Sequence, residues 1–381
     1  MITIRLHTAL VFLVASLTFL VVTEDLSAQN RDVIVRKDSG KKQAVDKVIS
    51  ETYKEITYKS QSAERTLATD KVKEIIYYDI PDPYRAAQTY LNKGEYENAI
   101  SSFKLAMEKR TTRSWVKTYS LFQIAKAYQQ WGAKDSKKYN DAISNYEELL
   151  KQDPETRFYP EVLFNIGDCY SSLKDNAKAI QAFQTLGQEA YDKKLGVLWE
   201  AKAKYEKANT QLNSGAFDDA ERDFRSAMTF AADQAKAAEK VNDNPVLVTE
   251  LDHLSTMASL RQGTVMIRKN KIKDARRFFD DILSSSSSSR AAKAGACCGL
   301  AECLMTEGDL KEAQIEFAKS KVLYFDIPEE SAKATYFLGE LCLLLKDREP
   351  NYKKRAKDYF QEVLDYYPDT SWVNKARAKL D

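Results

Sequence analysis

The chain has 381 residues, with 58 Lys and Arg against 56 Asp and Glu and a formal net charge of +2. Charges so evenly mixed exclude the concentrated basic surface of a nucleic-acid binder. Gly and Pro number only 12 and 8 while Ala, Lys, Glu and Tyr abound, the composition of a helical protein, and the length alone would suggest about two or three compact domains.

Residues 1–29 read as a secretory signal peptide. Arg5 supplies a basic start, Ala9 to Val22 an apolar run, and Leu26-Ser27-Ala28-Gln29 a small-residue exit, with cleavage expected after Ala28 or Gln29. The apolar run is too short for a comfortable membrane span, although an uncleaved anchor is the alternative. No cysteine lies near the exit, so no lipid anchor is expected. Export without eukaryotic sorting features points to the bacterial envelope, and within it to the periplasm.

Residues 30–81 have a different texture. DVIVR (Asp32 to Arg36), VISETYKEITYK (Val48 to Lys59) and VKEIIYYDIP (Val72 to Pro81) are rich in β-branched and aromatic residues, and KDSGKK and KSQSAE separate them. Short strands joined by polar turns predict a small β-meander or half-barrel. The alternative is a leader with isolated strand-like runs. A piece of this size buries a modest core and is expected to pack on the first helices, with Pro81 and Pro83 at the junction.

From residue 82 to 381 one pattern recurs. KGEYENAISSFKLA (Lys93 to Ala106), SGAFDDAERDFRSA (Ser214 to Ala227) and EGDLKEAQIEFAKS (Glu307 to Ser320) each carry Gly, then Ala, then Phe at fixed intervals. The glycine follows a helix, where positive φ turns the chain at little steric cost. Ala99, Ala220 and Ala313 suit a close helix crossing, and Phe103, Phe224 and Phe317 lie one turn along the same face. The same interval joins Ala142 to Tyr146, Ala179 to Phe183, Ala275 to Phe279 and Ala356 to Phe360.

Preceding helices carry a small residue twelve positions before the alanine at Ala87, Gly167, Ala208, Gly263 and Ala301. In the second and seventh units the anchors Tyr128 and Gly339 lie farther off, which predicts lengthened turns. Irregular spacing between units predicts elongated helices, most clearly from Asp218 to about Val241.

This register resembles the tetratricopeptide repeat, and YFQEVLDYYPDTSWVNKA in the last unit resembles repeats of exported bacterial envelope proteins. The resemblance implies a mainly α protein, an α-solenoid of about seven helical pairs with Ser371 to Leu380 as a capping helix. Solenoids of this kind build extended binding surfaces and seldom do chemistry. The family's chaperone-binding subset clamps a terminal carboxylate with Lys and Asn. Tyr84 and Gln88 stand at the corresponding positions of the first unit, so that mode is not expected.

No enzymatic signature emerges. The two histidines are His7 and His253, and the chain has no phosphate-binding loop, dinucleotide fingerprint or zinc-protease motif. No cofactor and no metal are expected. The five cysteines are odd in number and form no CxxC pair. Cys169, Cys303 and Cys342 fall in small apolar slots on first helices, where a buried thiol is a small hydrophobe.

The register also places a candidate groove. The residue after each small anchor should face the concave side, giving Asp168, Asn209, Glu302 and Glu340. Phe164, Tyr205 and Tyr336 lie one turn earlier on the same faces. Acids and aromatics so spaced suit a basic or mixed peptide. The expected partner is a protein or peptide, with no nucleic acid; self-association into a homo-oligomeric structural component is the alternative.

Overall fold

The computed structural model describes residues 30–108, 113–241, 244–347 and 351–380; the expected signal peptide lies outside them. Among the described residues there are six strands followed by fifteen α-helices, and no helix is long and apolar enough to cross a membrane.

The strands are β1 (Asp32–Arg36), β2 (Lys42–Val45), β3 (Lys47–Glu51), β4 (Glu55–Ser60), β5 (Ala63–Ala68) and β6 (Val72–Ile76). They do not form the single meander suggested by three apolar runs. β6 returns to pair antiparallel with β1, giving the order β2-β1-β6, while β3-β4-β5 form a separate three-stranded sheet. Alternation accounts for the second sheet: Ile56 and Tyr58 of β4 point inward between outward-facing polar neighbours. β5 (AERTLA) is an exposed polar edge strand, which is why its sequence reads as a turn. Ile34, Val45, Val48, Ile56 and Ile75 share one core with Tyr84, Phe103 and Trp115 of the first helices.

The helices come in seven pairs: α1 (Asp82–Asn92) with α2 (Tyr96–Glu108), α3 (Ser114–Gly132) with α4 (Lys138–Gln152), α5 (Tyr159–Ser172) with α6 (Asn176–Asp192), and α7 (Val197–Ser214) with α8 (Phe217–Val241). α9 (Pro245–Arg268) pairs with α10 (Ile272–Ser284), α11 (Arg290–Glu307) with α12 (Leu310–Leu323), and α13 (Pro328–Leu344) with α14 (Tyr352–Tyr366); α15 (Val373–Arg377) caps the end. Longer turns separate α3 from α4 and α13 from α14. α8 and α9 are the two longest helices, at 25 and 24 residues.

The small-and-large alternation is the packing device. Ala99, Ala142, Ala179, Ala220, Ala275, Ala313 and Ala356 are all fully buried, and each is followed one turn later by a buried ring: Phe103, Tyr146, Phe183, Phe224, Phe279, Phe317 and Phe360. A Cβ on Gly167, Gly263 or Gly339 would come within 2.6 Å of Phe183, 2.3 Å of Phe279 and 2.6 Å of Phe360. Each first helix thus lies against its own unit's ring. In the second unit the equivalent position is Ala125, not Tyr128: it stands as far before Ala142 as Gly339 does before Ala356, and it is fully buried whereas Tyr128 is half-buried.

The turn glycines behave as their place requires. Gly94, Gly215 and Gly308 have φ of 73°, 85° and 86°, and Lys174 and Asn270, at the same place in the third and fifth units, have φ of 61° and 59°. Every regular unit therefore closes its first helix with a left-handed residue.

Two buried ion pairs pin the β segment to the helices. Asp32, fully buried, accepts from both terminal nitrogens of Arg113 at 2.9 and 2.8 Å. Glu51 accepts from Arg157 at 3.3 Å and from the Tyr119 hydroxyl at 2.7 Å. Farther along, Lys37 donates to Glu250 of α9 at 3.0 Å.

Candidate functional site

Successive first helices touch one another, α5 with α7, α7 with α9, α9 with α11 and α11 with α13; no comparable contact joins successive second helices among the described residues. The first helices therefore line the inner side of the curve. That inner side is divided. The β segment covers the N-terminal ends of first helices, through Tyr119 of α3, Tyr159 of α5, which rings against Tyr53, and Glu250 of α9. The C-terminal halves of α5, α7 and α9 stay open and, with α11, α13 and the cap, enclose a groove of about 810 Å³.

The first helices and the cap supply the polar lining of this groove, and Phe217 of α8 and Phe279 of α10 also reach it. α5 brings Asp168, α7 brings Glu206 and Asn209, α9 brings Arg261 and Thr264, and α11 brings Glu302; α13 brings Glu330, Lys333, Tyr336 and Glu340, and the cap brings Trp372 and Lys375. The cap is drawn in by aromatic packing, with the Trp372 ring 5.3 Å from Tyr336 and 5.6 Å from Phe337. Lys379 pairs with Glu340 at 2.9 Å, and the Ser371 amide donates to Glu329 at 3.1 Å.

Family models of the tetratricopeptide repeat match residues 84–108 and 133–195. The first covers most of α1 and α2, the second runs from the start of the α3–α4 turn to the end of the third pair. The chain carries tetratricopeptide repeats. A comparison with curated proteins finds no match. Among solved structures, the array is similar to a tetratricopeptide repeat protein from Parabacteroides merdae, at 19% identity over 78% of this chain and 97% of that one, with a TM-score of 0.45. It is similar also to NprR in complex with its cognate peptide NprX, at 13% identity, 78% and 82% coverage and a TM-score of 0.45. The C-terminal part of a repeat protein from Cytophaga hutchinsonii gives 14% identity, 78% and 99% coverage and a TM-score of 0.38.

Of the residues assigned to the groove by the repeat register, Asp168, Asn209, Glu302, Tyr336 and Glu340 line this one space. Phe164 and Tyr205 do not. The Phe164 ring packs on Phe183 and Trp199. Tyr205 is buried against Phe224 and accepts a long hydrogen bond, 3.5 Å, from Arg261. At Phe164 and Tyr205 the ring one turn before the groove position is received by the unit's own phenylalanine, whereas Tyr336, at the same place, packs on Phe360 and still reaches the groove.

The acids are also not the whole of the groove. Glu302 meets Lys333 at 2.6 Å, and Arg261 and Lys375 add positive charge. These cations escape a reading confined to one position per repeat: Arg261 precedes Gly263 by half a turn, and Lys333 stands one turn before Tyr336. A signal was present, since both fall on the face that the register defines, but Lys375 belongs to the cap and follows no repeat position.

Burial sets the protonation of the acidic end. Desolvation raises the pKa of Asp168, partly offset by the hydrogen bond that Gln129 donates at 2.8 Å. Desolvation likewise raises Glu206, which accepts from Asn209 at 3.1 Å and feels the charge of Asp168. On the opposite side burial works against Lys333, yet Glu302 and Glu330 hold its ammonium above the ordinary value. Glu330 is 6% exposed, and its Oε2 has no hydrogen-bond partner.

A second cavity, of about 330 Å³, lies in the seam between the β segment and α3, lined by Glu51, Tyr77, Arg113, Trp115, Tyr119 and Arg157 among others. Glu51, Arg113 and Arg157 are engaged in the ion pairs that hold the seam, and Tyr77 and Trp115 stack on each other at 4.1 Å. It therefore reads as a structural joint. The described residues contain no group of three or more side chains able to hold a metal ion.

All five cysteines are buried. Burial pushes the Cys297 thiol up to about 11 and Cys303 up to about 12, which favours the protonated thiol of these two residues at neutral pH.

Proposed function

We propose that this tetratricopeptide array is a non-enzymatic interaction scaffold that captures an extended segment of a protein partner in its groove. The observation that carries this reading is the groove's construction. It is wide, walled by five first helices and the cap, and lined by buried charged groups whose bonding capacity is not met among the described residues, Glu330 foremost. Water-filled surface clefts have no need to bury such groups, whose desolvation costs stability unless a partner compensates it. An extended peptide offers alternating amide donors, carbonyl acceptors and side chains along a length that spans several repeats.

Export to the bacterial envelope, with the periplasm as the compartment, rests on the character of residues 1–29 and is part of the same proposal. Fractionation of cells producing the full chain tests it: a mature form beginning near residue 29 or 30 in the periplasmic fraction supports it, and an unprocessed cytoplasmic protein rejects it.

Selection from a random peptide library against the wild-type chain, and against Thr264→Trp, tests the capture reading. Thr264 lines the groove, so the indole should fill it and abolish retention while the thermal transition stays in place. Equal retention by both proteins rejects the groove.

The alternative, self-assembly, is favoured by one observation: Val322, Leu323 and Phe325 at the end of α12 are 68%, 57% and 70% exposed. Light scattering at rising concentration separates the two readings, since a persistent monomer rules out self-assembly.

A further inference from the structure

The ion pairing inside the groove is uneven. Glu302 is neutralised by Lys333 and Glu340 by Lys379. Asp168 and Glu206, at the α5–α7 end, have no cation within ion-pair distance among the described residues; each accepts only an amide hydrogen bond. Arg261 and Lys375, at the other end, have no carboxylate within that distance either. Arg261 donates only to the Tyr205 hydroxyl at 3.5 Å, although a guanidinium carries five N–H donors. The Lys375 ammonium rests over the Trp372 ring at 3.9 Å.

The two ends therefore carry charged groups of opposite sign that have no ion-pair partner among the described residues. Around Arg261 and Lys375 the facing groups are Lys333, Glu302, Glu329 and Glu330, three cations against three carboxylates in all, but the ion pair formed among them is that of Glu302 with Lys333. Asp168 and Glu206 repel each other, and Arg261 and Lys202 act on Glu206 across space without forming an ion pair with it. Desolvation, with the repulsion of Arg261 and Lys333, outweighs the attraction of Glu302 and Glu329 and pulls the Lys375 ammonium below its ordinary pKa. Glu330 adds a buried oxygen that lacks a donor.

We propose that the groove is polarised and selects a segment by its charge order: a cationic group of the ligand lies between Asp168 and Glu206, and a carboxylate of the ligand lies on Arg261 and Lys375. Glu330 then accepts an N–H from the backbone that carries the carboxylate. This inference rests on the peptide-capture reading and adds an orientation to it. The cationic group is a Lys or Arg side chain or a free amine. The carboxylate is either a chain terminus or an Asp or Glu side chain, and both sources present the same chemistry to Arg261 and Lys375.

Random octapeptides, synthesised in one pool with free C-termini and a second with amidated C-termini, are the probe. Peptides retained by the wild-type chain should carry a cationic group and a carboxylate at opposite ends. If a terminus is the carboxylate, amidation should reduce retention at least tenfold; if a side chain, the amidated pool should be enriched in Asp or Glu near one end. Lys375→Glu, at an exposed position, should weaken the selected peptides about tenfold and shift selection toward peptides cationic at both ends. Asp168→Asn should relax the preference for a cation without affecting the carboxylate. Peptides retained with no charge order, or an unchanged selection by Lys375→Glu, overturn the polarity while leaving peptide capture intact. Retention of no peptide from either pool overturns both.

Discussion

Arg113 grips Asp32 with both terminal nitrogens, joining the first strand to the start of α3 across 81 residues of sequence. The same guanidinium donates to the Val48 carbonyl at 2.7 Å and to Asp79 at 3.3 Å, so one side chain ties both β-sheets to the helical array. The Val48 amide donates to Asp32 at 2.7 Å as well. Removing the cation would strand a fully buried carboxylate.

Arg113→Ala should therefore destabilise the protein by about 3–5 kcal/mol, the usual cost of breaking a buried pair from one side. Asp32→Asn, which keeps the shape and loses the charge, should cost less. Urea denaturation of the two variants checks this; a change below about 1 kcal/mol for Arg113→Ala would place the pair among ordinary surface bridges.

Phe279 is held between two glycines, Gly263 of α9 and Gly299 of α11, and a Cβ on Gly299 would lie 2.2 Å from the ring. Gly299→Ala should cost about 1–3 kcal/mol by overpacking. Combining it with Phe279→Leu should cost less than the two separate changes added together, because the smaller side chain makes room; strict additivity in thermal or urea denaturation would argue against direct contact.

At Lys174 the backbone is left-handed, φ 61°, where the equivalent residue in three other units is glycine. A left-handed residue other than glycine costs roughly 1–2 kcal/mol, and glycine recovers that less the entropy it gives the unfolded chain. Lys174→Gly should raise stability by about 0.5–1 kcal/mol, visible as a higher melting temperature; a fall would show that Lys174 contributes contacts worth more than the strain.

The acidic end of the groove should respond to pH with a defined sign. Desolvation raises Asp168 and Glu206 above their ordinary values of 3.8 and 4.5, so folding favours their protonated forms. Their contribution to stability is full below the unfolded-state values and is lost as pH rises through the raised folded ones. Asp168→Asn should consequently be more stable than wild type at neutral pH, with the gain vanishing on acidification. A cationic ligand would favour the ionised pair, so its affinity should weaken as pH falls through the same range. Urea denaturation and peptide titration across pH check the two halves separately.

The repeat register was legible because it is written in residue size: an alanine and a ring one turn apart cannot be moved without emptying or crowding a helix crossing. That is why the seven pairs and the left-handed closures emerge from the sequence alone. Tyr128 misled because an aromatic is the more visible residue, whereas the crossing is made by Ala125. β2 and β5 were hidden by their polar composition, since an edge strand such as Ala63–Ala68 has no buried face to advertise. The groove was half legible. Asp168, Glu302 and Glu340 follow from position within a unit, but bringing Lys375 toward Arg261 depends on the small rotation each unit adds to the next, and no single repeat encodes that sum.

The central claim, that the groove walled by the first helices and the cap receives a partner segment, is tested most directly by site-specific photocrosslinking in the source organism. A photoreactive phenylalanine at Asn213, exposed in the groove, should give one discrete higher-mass adduct. The same residue at Tyr191, at the end of α6 and 72% exposed, should give none. Equal adducts from both positions, or an adduct from Tyr191 alone, would contradict the groove as the place of capture.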